Sequence, residues 1–242
     1  MINKNLPIPI YYQLAESIQK QIDNGELKPG ESLPSEREYA EKYNISRMTA
    51  RQALNQLVNN GYLYRVQGKG TFVAEKKMEK PLIGITSFTE DMMARGLKPS
   101  SELLHFEIIP APQQIAKPLQ INEYAPVYEI TRIRLADAVP MAIETNYFSA
   151  NLVKGLTEKI VNHSIYAYME EQLQLTIEQA TQTIESSIAE PVEAEHLQIH
   201  SGAPVMRIER IAFLQDGTPA EYVKSTYRAD RYKFMVHMQR NQ

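Results

Sequence analysis

The chain has no cysteine and no tryptophan among its 242 residues. Without thiols there is no disulfide framework, no thiolate metal site and no cysteine nucleophile. Long apolar runs are missing as well, none approaching the roughly 18 residues that a membrane span needs. Met1-Ile2-Asn3-Lys4-Asn5-Leu6-Pro7 has neither an apolar leader core nor a cleavage site, so the expected location is the cytoplasm. Catalytic signatures are absent too: there is no Gly-x-Ser-x-Gly elbow and no Walker loop. The five histidines are scattered. His196 and His200 stand four apart beside Glu193 and Glu195, but no third ligand is evident. They read as surface histidines, and neither metal nor cofactor is expected. What is present is an ordinary globular mixture, 43% apolar and 23% charged, which excludes disordered and collagen-like classes.

The net charge of −3 conceals an asymmetry. Residues 1–80 carry 12 Lys and Arg against 9 Asp and Glu, whereas residues 81–242 carry 14 against 20. A basic segment on an acidic body suits a polyanion-binding module on a carrier that does not bind polyanions.

Local pattern sharpens that reading. Ile10, Leu14, Ile18 and Ile22 recur every fourth residue and predict one helix, ending near Asn24-Gly25. Ser35-Glu36-Arg37-Glu38 is a capping box that starts a second, short helix. Ser46 caps a third, whose apolar face is Ala50, Ala53, Leu54, Leu57 and Val58. Tyr62–Val66 and Thr71–Val73 are strand-like around the turn Gln67-Gly68-Lys69-Gly70. Helix, helix, short turn, helix and hairpin make a winged helix-turn-helix. Arg47, Met48, Thr49, Arg51 and Gln52 fall in the first two turns of the third helix, where a recognition helix meets base edges and phosphates. The alternative for the same residues is a small helical bundle with a solvated charged face.

Three ordered blocks carry a resemblance: Leu33-Pro34-Ser35-Glu36-Arg37-Glu38, then Ser46-Arg47-Met48-Thr49-Ala50-Arg51-Gln52-Ala53-Leu54, then Gly68-Lys69-Gly70-Thr71-Phe72-Val73. Together they resemble the DNA-binding domain of the GntR family of bacterial transcription regulators. The resemblance implies base contact by Arg37, Arg47 and the Gly68 backbone. It implies phosphate contact by Ser35, Thr49, Arg51, Gln67, Lys69 and Thr71, with Gln52 and Gly70 completing the surface. Ala50 replaces a larger aliphatic residue common in that family.

Residues 1–75 are thus expected to form the DNA-binding domain, 76–81 a charged linker closed by Pro81, and 82–242 a second domain of α+β class with a mostly antiparallel sheet. Candidate strands are 103–109, 127–135, 141–148, 177–187, 205–214 and 220–227, and candidate helices 152–161, 166–174 and 192–200. Pro126-Val127-Tyr128-Glu129-Ile130-Thr131-Arg132-Ile133 returns 78 residues later as Pro204-Val205-Met206-Arg207-Ile208-Glu209-Arg210-Ile211. Real duplication and common strand grammar both account for that echo. Arg132 and Arg134 share one face of a strand, an arrangement that calls for an anion or acidic partners. Hydroxyl residues stand at two expected helix starts, in Thr86-Ser87-Phe88-Thr89 and in His163-Ser164-Ile165-Tyr166, which suits phosphate. Ordinary N-caps and surface ion pairs explain the same residues equally simply.

Thr86–Met92, Arg132–Leu135, Pro140–Glu144 and Ser225–Tyr232 resemble the effector-binding (UTRA) domain of the HutC-type branch of that family, which has the chorismate lyase fold. Within the branch the likeness runs toward regulators of N-acetylglucosamine utilisation. It implies a repressor, not an enzyme, acting as a homodimer on a palindromic double-stranded operator. It also implies release by an aminosugar 6-phosphate, glucosamine 6-phosphate or N-acetylglucosamine 6-phosphate. Ser87, Phe88, Thr89, Arg132, Arg134, Ser164 and Tyr166 would surround the phosphate, and Glu144, Glu221 and Tyr227 the sugar. Two alternatives stand beside it: a regulator answering another small molecule, and a lyase-like phosphosugar enzyme with a vestigial DNA-binding arm, for which Glu144 and Glu221 would supply the acid–base pair.

Overall fold

The structure is a computed structural model that describes every residue except 1, 2, 4, 5, 67, 75, 76, 83, 241 and 242. The chain divides into two units, Met1–Met78 and Glu79–Gln242.

The first unit holds α1 (Ile10–Asp23), α2 (Glu36–Tyr43), α3 (Arg47–Asn59), β1 (Leu63–Val66) and β2 (Gly70–Val73). The four-residue stripe of α1 packs inward, with Leu14 and Ile18 fully buried against Ala53, Leu54 and Leu57 of α3. Ser35 and Glu38 form the reciprocal capping box at the start of α2, and Asn44 ends that helix in the left-handed conformation at φ 50°. Ser46 accepts from the backbone N–H of Thr49 and so fixes where α3 begins. β1 and β2 pair antiparallel. Leu33 N–H donates to Thr71 C=O at 2.8 Å, tying the outer side of β2 to the segment before α2. The result is a helix-turn-helix with a wing.

The second unit contains β3 (Met78–Pro81), α4 (Phe88–Ala94), β4 (Pro99–Pro110), α5 (Gln113–Leu119), β5 (Pro126–Ala136), β6 (Val139–Ser149), α6 (Glu158–Val161), α7 (Ile165–Leu173), β7 (Ile177–Ile188), α8 (Pro191–Leu197), β8 (Pro204–Leu214), β9 (Pro219–Arg228) and β10 (Tyr232–Met235). Six of its strands make one antiparallel sheet in the order β4-β5-β6-β9-β8-β7. Alternate residues of each strand serve opposite faces. Ile130 and Phe148 point to a core shared with Val161 of α6 and Met169 of α7. Val127 and Tyr147 point the other way, to Ile115 and Leu119 of α5.

The echo seen in the sequence is a structural repeat. Strand, helix and hairpin (β4, α5, β5, β6) recur as β7, α8, β8 and β9, and the sheet reads the same inward from either edge. Its small details repeat at the same spacing of 78. Ala111 N–H donates to Ala125 C=O as Ala189 does to Ala203, and Ile121 to Ala116 as Ile199 to Ala194. Gln120 and Gln198 close α5 and α8 in the left-handed conformation at φ 52° and 53°.

Two expectations need correction, and one helix was not expected. Of the expected linker, Met78–Pro81 is strand β3, paired with β10; Lys80, whose charge suggested a solvated tether, is instead folded in beside Asp91 at 3.9 Å. Of the helix expected over 152–161 only Glu158–Val161 forms, because Gly155 turns the chain at φ +78°. Leu156 and Val153 still reach the core, but from a loop. The short helix α5, with Pro112 at its N-cap and Pro118 in its last turn, was not among the expected helices.

Candidate functional site

In the first unit the outer face of α3 stays bare. Arg47, Met48, Arg51 and Gln52 are exposed while Ala50 and Ala53 are fully buried. Arg37 of α2 and Arg47 of α3 line one groove across the turn between the two helices. Arg37 meanwhile donates to Glu41 at 2.8 Å, an exposed pair that a phosphate or guanine replaces at little cost. Thr49 shares its hydroxyl with Ser46 at 2.8 Å, and Ser35 keeps its hydroxyl on Glu38 N–H. Gly68 (φ +74°) and Gly70 (φ +127°) shape the wing tip, and nothing lies within 4 Å of where a Gly68 side chain would begin, so its backbone is open to a groove. Lys69 is exposed beside it and Thr71 is half-buried on β2. Gln67 lies outside the described residues. These groups present cations and open backbone at positions where a winged helix meets a duplex.

The second unit has a partly open cavity of about 30 Å³ on the sheet face that carries α4 and α7. Nine of the residues expected around an effector line it: Ser87, Phe88 and Thr89 from α4 and its cap, Arg132 and Arg134 from β5, Glu144 from β6, Ser164 and Tyr166 from α7 and its cap, and Glu221 from β9. Alternation along the strands explains the convergence, since Arg132 and Glu144 are also direct partners in the β5–β6 ladder.

Within the cavity the polar groups form a continuous network. Arg132 donates to Val161 C=O at 2.6 Å and to Asn146 Oδ1 at 3.0 Å. Asn146 donates in turn to Glu221 Oε1 at 2.8 Å. The other Glu221 oxygen accepts from the Tyr166 hydroxyl at 2.6 Å, and Arg210 donates to that hydroxyl at 3.3 Å. Arg134 reaches Thr89 at 3.2 Å and lies 4.7 Å over the Phe88 ring, with Glu144 at 3.6 Å. Ser87 and Ser164 spend their hydroxyls as N-caps, accepting from Glu90 and Ala167 N–H.

Three arginines face two glutamates here, an excess of one positive charge in a buried place. Burial, reinforced by Arg134, pushes Arg132 down to about 9. Burial would raise Glu144, but Arg134 and Arg132 outweigh it and hold the carboxyl below its ordinary value. Burial and Glu221 push the Tyr166 hydroxyl well above the usual phenol range, so it remains a donor. A buried cation excess of this kind is relieved by a bound anion.

The tenth expected residue sits elsewhere. Tyr227 is not on the cavity wall but behind Glu144, to which its hydroxyl donates at 3.0 Å, with its ring edge-on to Tyr232 at 5.0 Å. That hydrogen bond holds the carboxylate in place from the far side. Conversely, Asn146 and Arg210 line the cavity without having been expected there. Arg210 was within reach, because it is the repeat mate of Arg132. Asn146 carried no motif; only its ladder position two residues beyond Glu144 marks it.

Comparison with known proteins agrees with both halves. Residues 10–73 match the family of bacterial regulatory proteins named gntR, and residues 94–233 match the UTRA domain. The chain is 49% identical over 239 residues to the HTH-type transcriptional repressor NagR of Bacillus subtilis (strain 168), covering 99% of this chain and 98% of that one. It is 34% identical to the mannosyl-D-glycerate transport/metabolism system repressor MngR of Escherichia coli (strain K12), over 96% and 97% of the two chains. Among solved structures, PhnF from Mycobacterium smegmatis superposes with a TM-score of 0.68 at 29% identity, covering 94% of this chain and 99% of that one.

Proposed function

The chain belongs to the gntR family of bacterial regulatory proteins, as a transcriptional repressor of the HutC type and not an enzyme, and on that premise we propose that an aminosugar 6-phosphate controls its grip on DNA. In this reading residues 1–75 read the operator and residues 82–242 bind the effector and dimerise. Two winged helices related by a two-fold axis meet the half-sites of a palindromic duplex, spaced by about one helical turn or a related distance. Arg47 and Arg37 contact bases together with the Gly68 backbone, while Thr49, Arg51, Lys69 and Thr71 hold phosphates. Effector binding favours a state in which the winged helices are misplaced for those half-sites. A hundredfold drop in operator affinity asks for about 2.7 kcal/mol of coupling.

The observation that carries the ligand class is the buried surplus of arginine over glutamate around the cavity. A phosphate supplies the missing negative charge and several acceptor oxygens. Sugar hydroxyls then meet Glu144 and Glu221, both of which are buried. The similarity to NagR supports an aminosugar in particular.

The test begins with an operator selected from random duplexes by the purified chain. Glucosamine 6-phosphate, N-acetylglucosamine 6-phosphate, other sugar phosphates and unphosphorylated sugars are then titrated into the labelled complex, with an assay for turnover in the same tube. Release by aminosugar 6-phosphates without turnover supports the reading. Release by a different phosphosugar only, or by none, removes it.

A further inference from the structure

Glu36, the first residue of α2, carries a negative charge next to Arg37 in a unit whose other exposed groups suit a polyanion. An acid so placed works against phosphate, and its partner is therefore informative. Glu36 Oε1 accepts from Arg65 Nη2 on β1 at 3.2 Å. The two side chains are partly sheltered, with 27% and 39% exposed, unlike the more open pair of Arg37 and Glu41.

The hairpin register fixes where on the wing this tie falls. Leu63 faces Val73, Tyr64 faces Phe72 and Arg65 faces Thr71. Facing residues of an antiparallel pair share a side, and successive pairs alternate. Leu63 and Val73 are buried in the core of the unit, so Arg65 and Thr71 stand one step further out on that same side. Tyr64 and Phe72 stack at 5.5 Å on the other. Backbone bonds hold the outer edge of β2, from Val73 N–H to Glu31 C=O and from Leu33 N–H to Thr71 C=O, and they reach as far out as Thr71. Arg65 holds β1 at that same rung. Gly68 lies further toward the tip, about 10 Å of extended chain beyond Arg65.

The helix on the other side of the tie is the one that carries a reading group. Arg37, the neighbour of Glu36, lines the groove shared with Arg47, and α2 is seated by its buried Tyr39 and Ala40. Resting on the reading of residues 1–75 as the operator-reading domain, we infer that Arg65 and Glu36 are positioning residues that set the wing against α2, so that the Gly68 backbone meets the duplex in register with Arg37 and Arg47. A wing held in this way has less freedom to lose on meeting DNA. The acid at the start of α2 thereby serves sequence reading at some expense of general affinity for phosphate.

The test compares the full-length chain with Glu36→Ala, Arg65→Met, the double variant and Arg47→Ala. Each selects duplexes from a random pool and is then titrated with operator and random duplex at several salt concentrations. Both side chains of the pair are partly exposed and neither belongs to the Ser35–Glu38 capping box, so the fold is kept. Positions relaxed by Arg47→Ala mark what the recognition helix reads. The two single variants are expected to relax other positions of the half-site, with preference there falling by about three- to fivefold, the range that an exposed ion pair supplies. The double variant should lose no more than either single one, because the same tie is broken in all three. Equal weakening of operator and random duplex by Arg65→Met alone, with a salt slope reduced by about one, would make Arg65 a phosphate contact and overturn the assignment. Relaxation confined to the Arg47 positions, or no relaxation, overturns it as well. A wild-type chain that selects no duplex removes the operator reading itself, and the assignment with it.

Discussion

Tyr166 donates its hydroxyl to Glu221 across 2.6 Å, joining α7 to the centre of the sheet. The sequence resemblance assigned these two residues to opposite ends of an effector; in the structure they are direct partners. A buried carboxylate accepting from a buried phenol is a charge-assisted hydrogen bond. Tyr166→Phe removes the donor and leaves Glu221 with Asn146 and the more distant Arg210. The expected loss is about 1.5–3 kcal/mol of folding stability. Urea unfolding of the purified chain measures it, and an unchanged midpoint would show the bond to be energetically idle.

The cationic excess in the cavity predicts that anions stabilise this protein. Inorganic phosphate at a hundred times its dissociation constant adds about 2.7 kcal/mol, seen as a raised melting temperature of the unit formed by residues 79–242. Arg132→Met lowers the cationic charge in the cavity from three to two, and the phosphate-induced shift is expected to shrink to the level given by chloride at equal ionic strength. A full shift retained in the variant removes Arg132 from the anion site.

Stability toward acid follows from Glu144. Its folded-state pKa lies below the ordinary 4.5, because Arg134 and Arg132 outweigh the opposing effect of burial. The unfolded chain therefore binds the proton first as pH falls, and the stabilisation present above pH 4.5 is lost as pH drops through the lowered folded value. Glu144→Gln has no such proton to bind. Urea midpoints recorded from pH 7 downward are expected to fall less steeply below pH 4.5 in the variant than in the wild type. Parallel slopes would mean that Glu144 does not hold its low pKa.

How much of this was written in the sequence depends on distance along the chain. Ser35, Ser46, Asn60 and Gly61 are local signals: α2 begins at Ser35, and α3 begins at Ser46 and ends at Asn60. The six long strands were legible from β-branched alternation. The seven-residue α5 was not read from the sequence; Pro112 stands at its N-cap and Pro118 in its last turn. The cavity was harder. Arg132, Arg134 and Glu144 could be grouped because they lie on adjacent strands, yet Tyr227 has the same alternation and falls behind Glu144, since pattern fixes a face and not a depth. Asn146 and Arg210 meet only through the ladder from β6 to β8, a relation no local rule contains.

On the DNA-binding unit, two substitutions separate reading from gripping. Arg47 is exposed at the first residue of α3 and shares its groove with Arg37. Arg47→Ala is expected to remove about 1–3 kcal/mol of preference for the selected operator and to relax the sequence requirement at one position per half-site. Lys69 at the wing tip offers a flexible point charge with no fork for a base edge. Lys69→Ala is expected to weaken specific and random duplexes alike and to reduce the slope of log affinity against log salt by about one per bound wing. Both variants should bind phosphosugar as the wild type does, because each lies in a unit with its own core. Gel-shift titrations at several salt concentrations distinguish the two patterns. An Arg47 variant that loses affinity uniformly across sequences, like Lys69, would make that arginine a phosphate contact and leave sequence recognition to Arg37 and the Gly68 backbone.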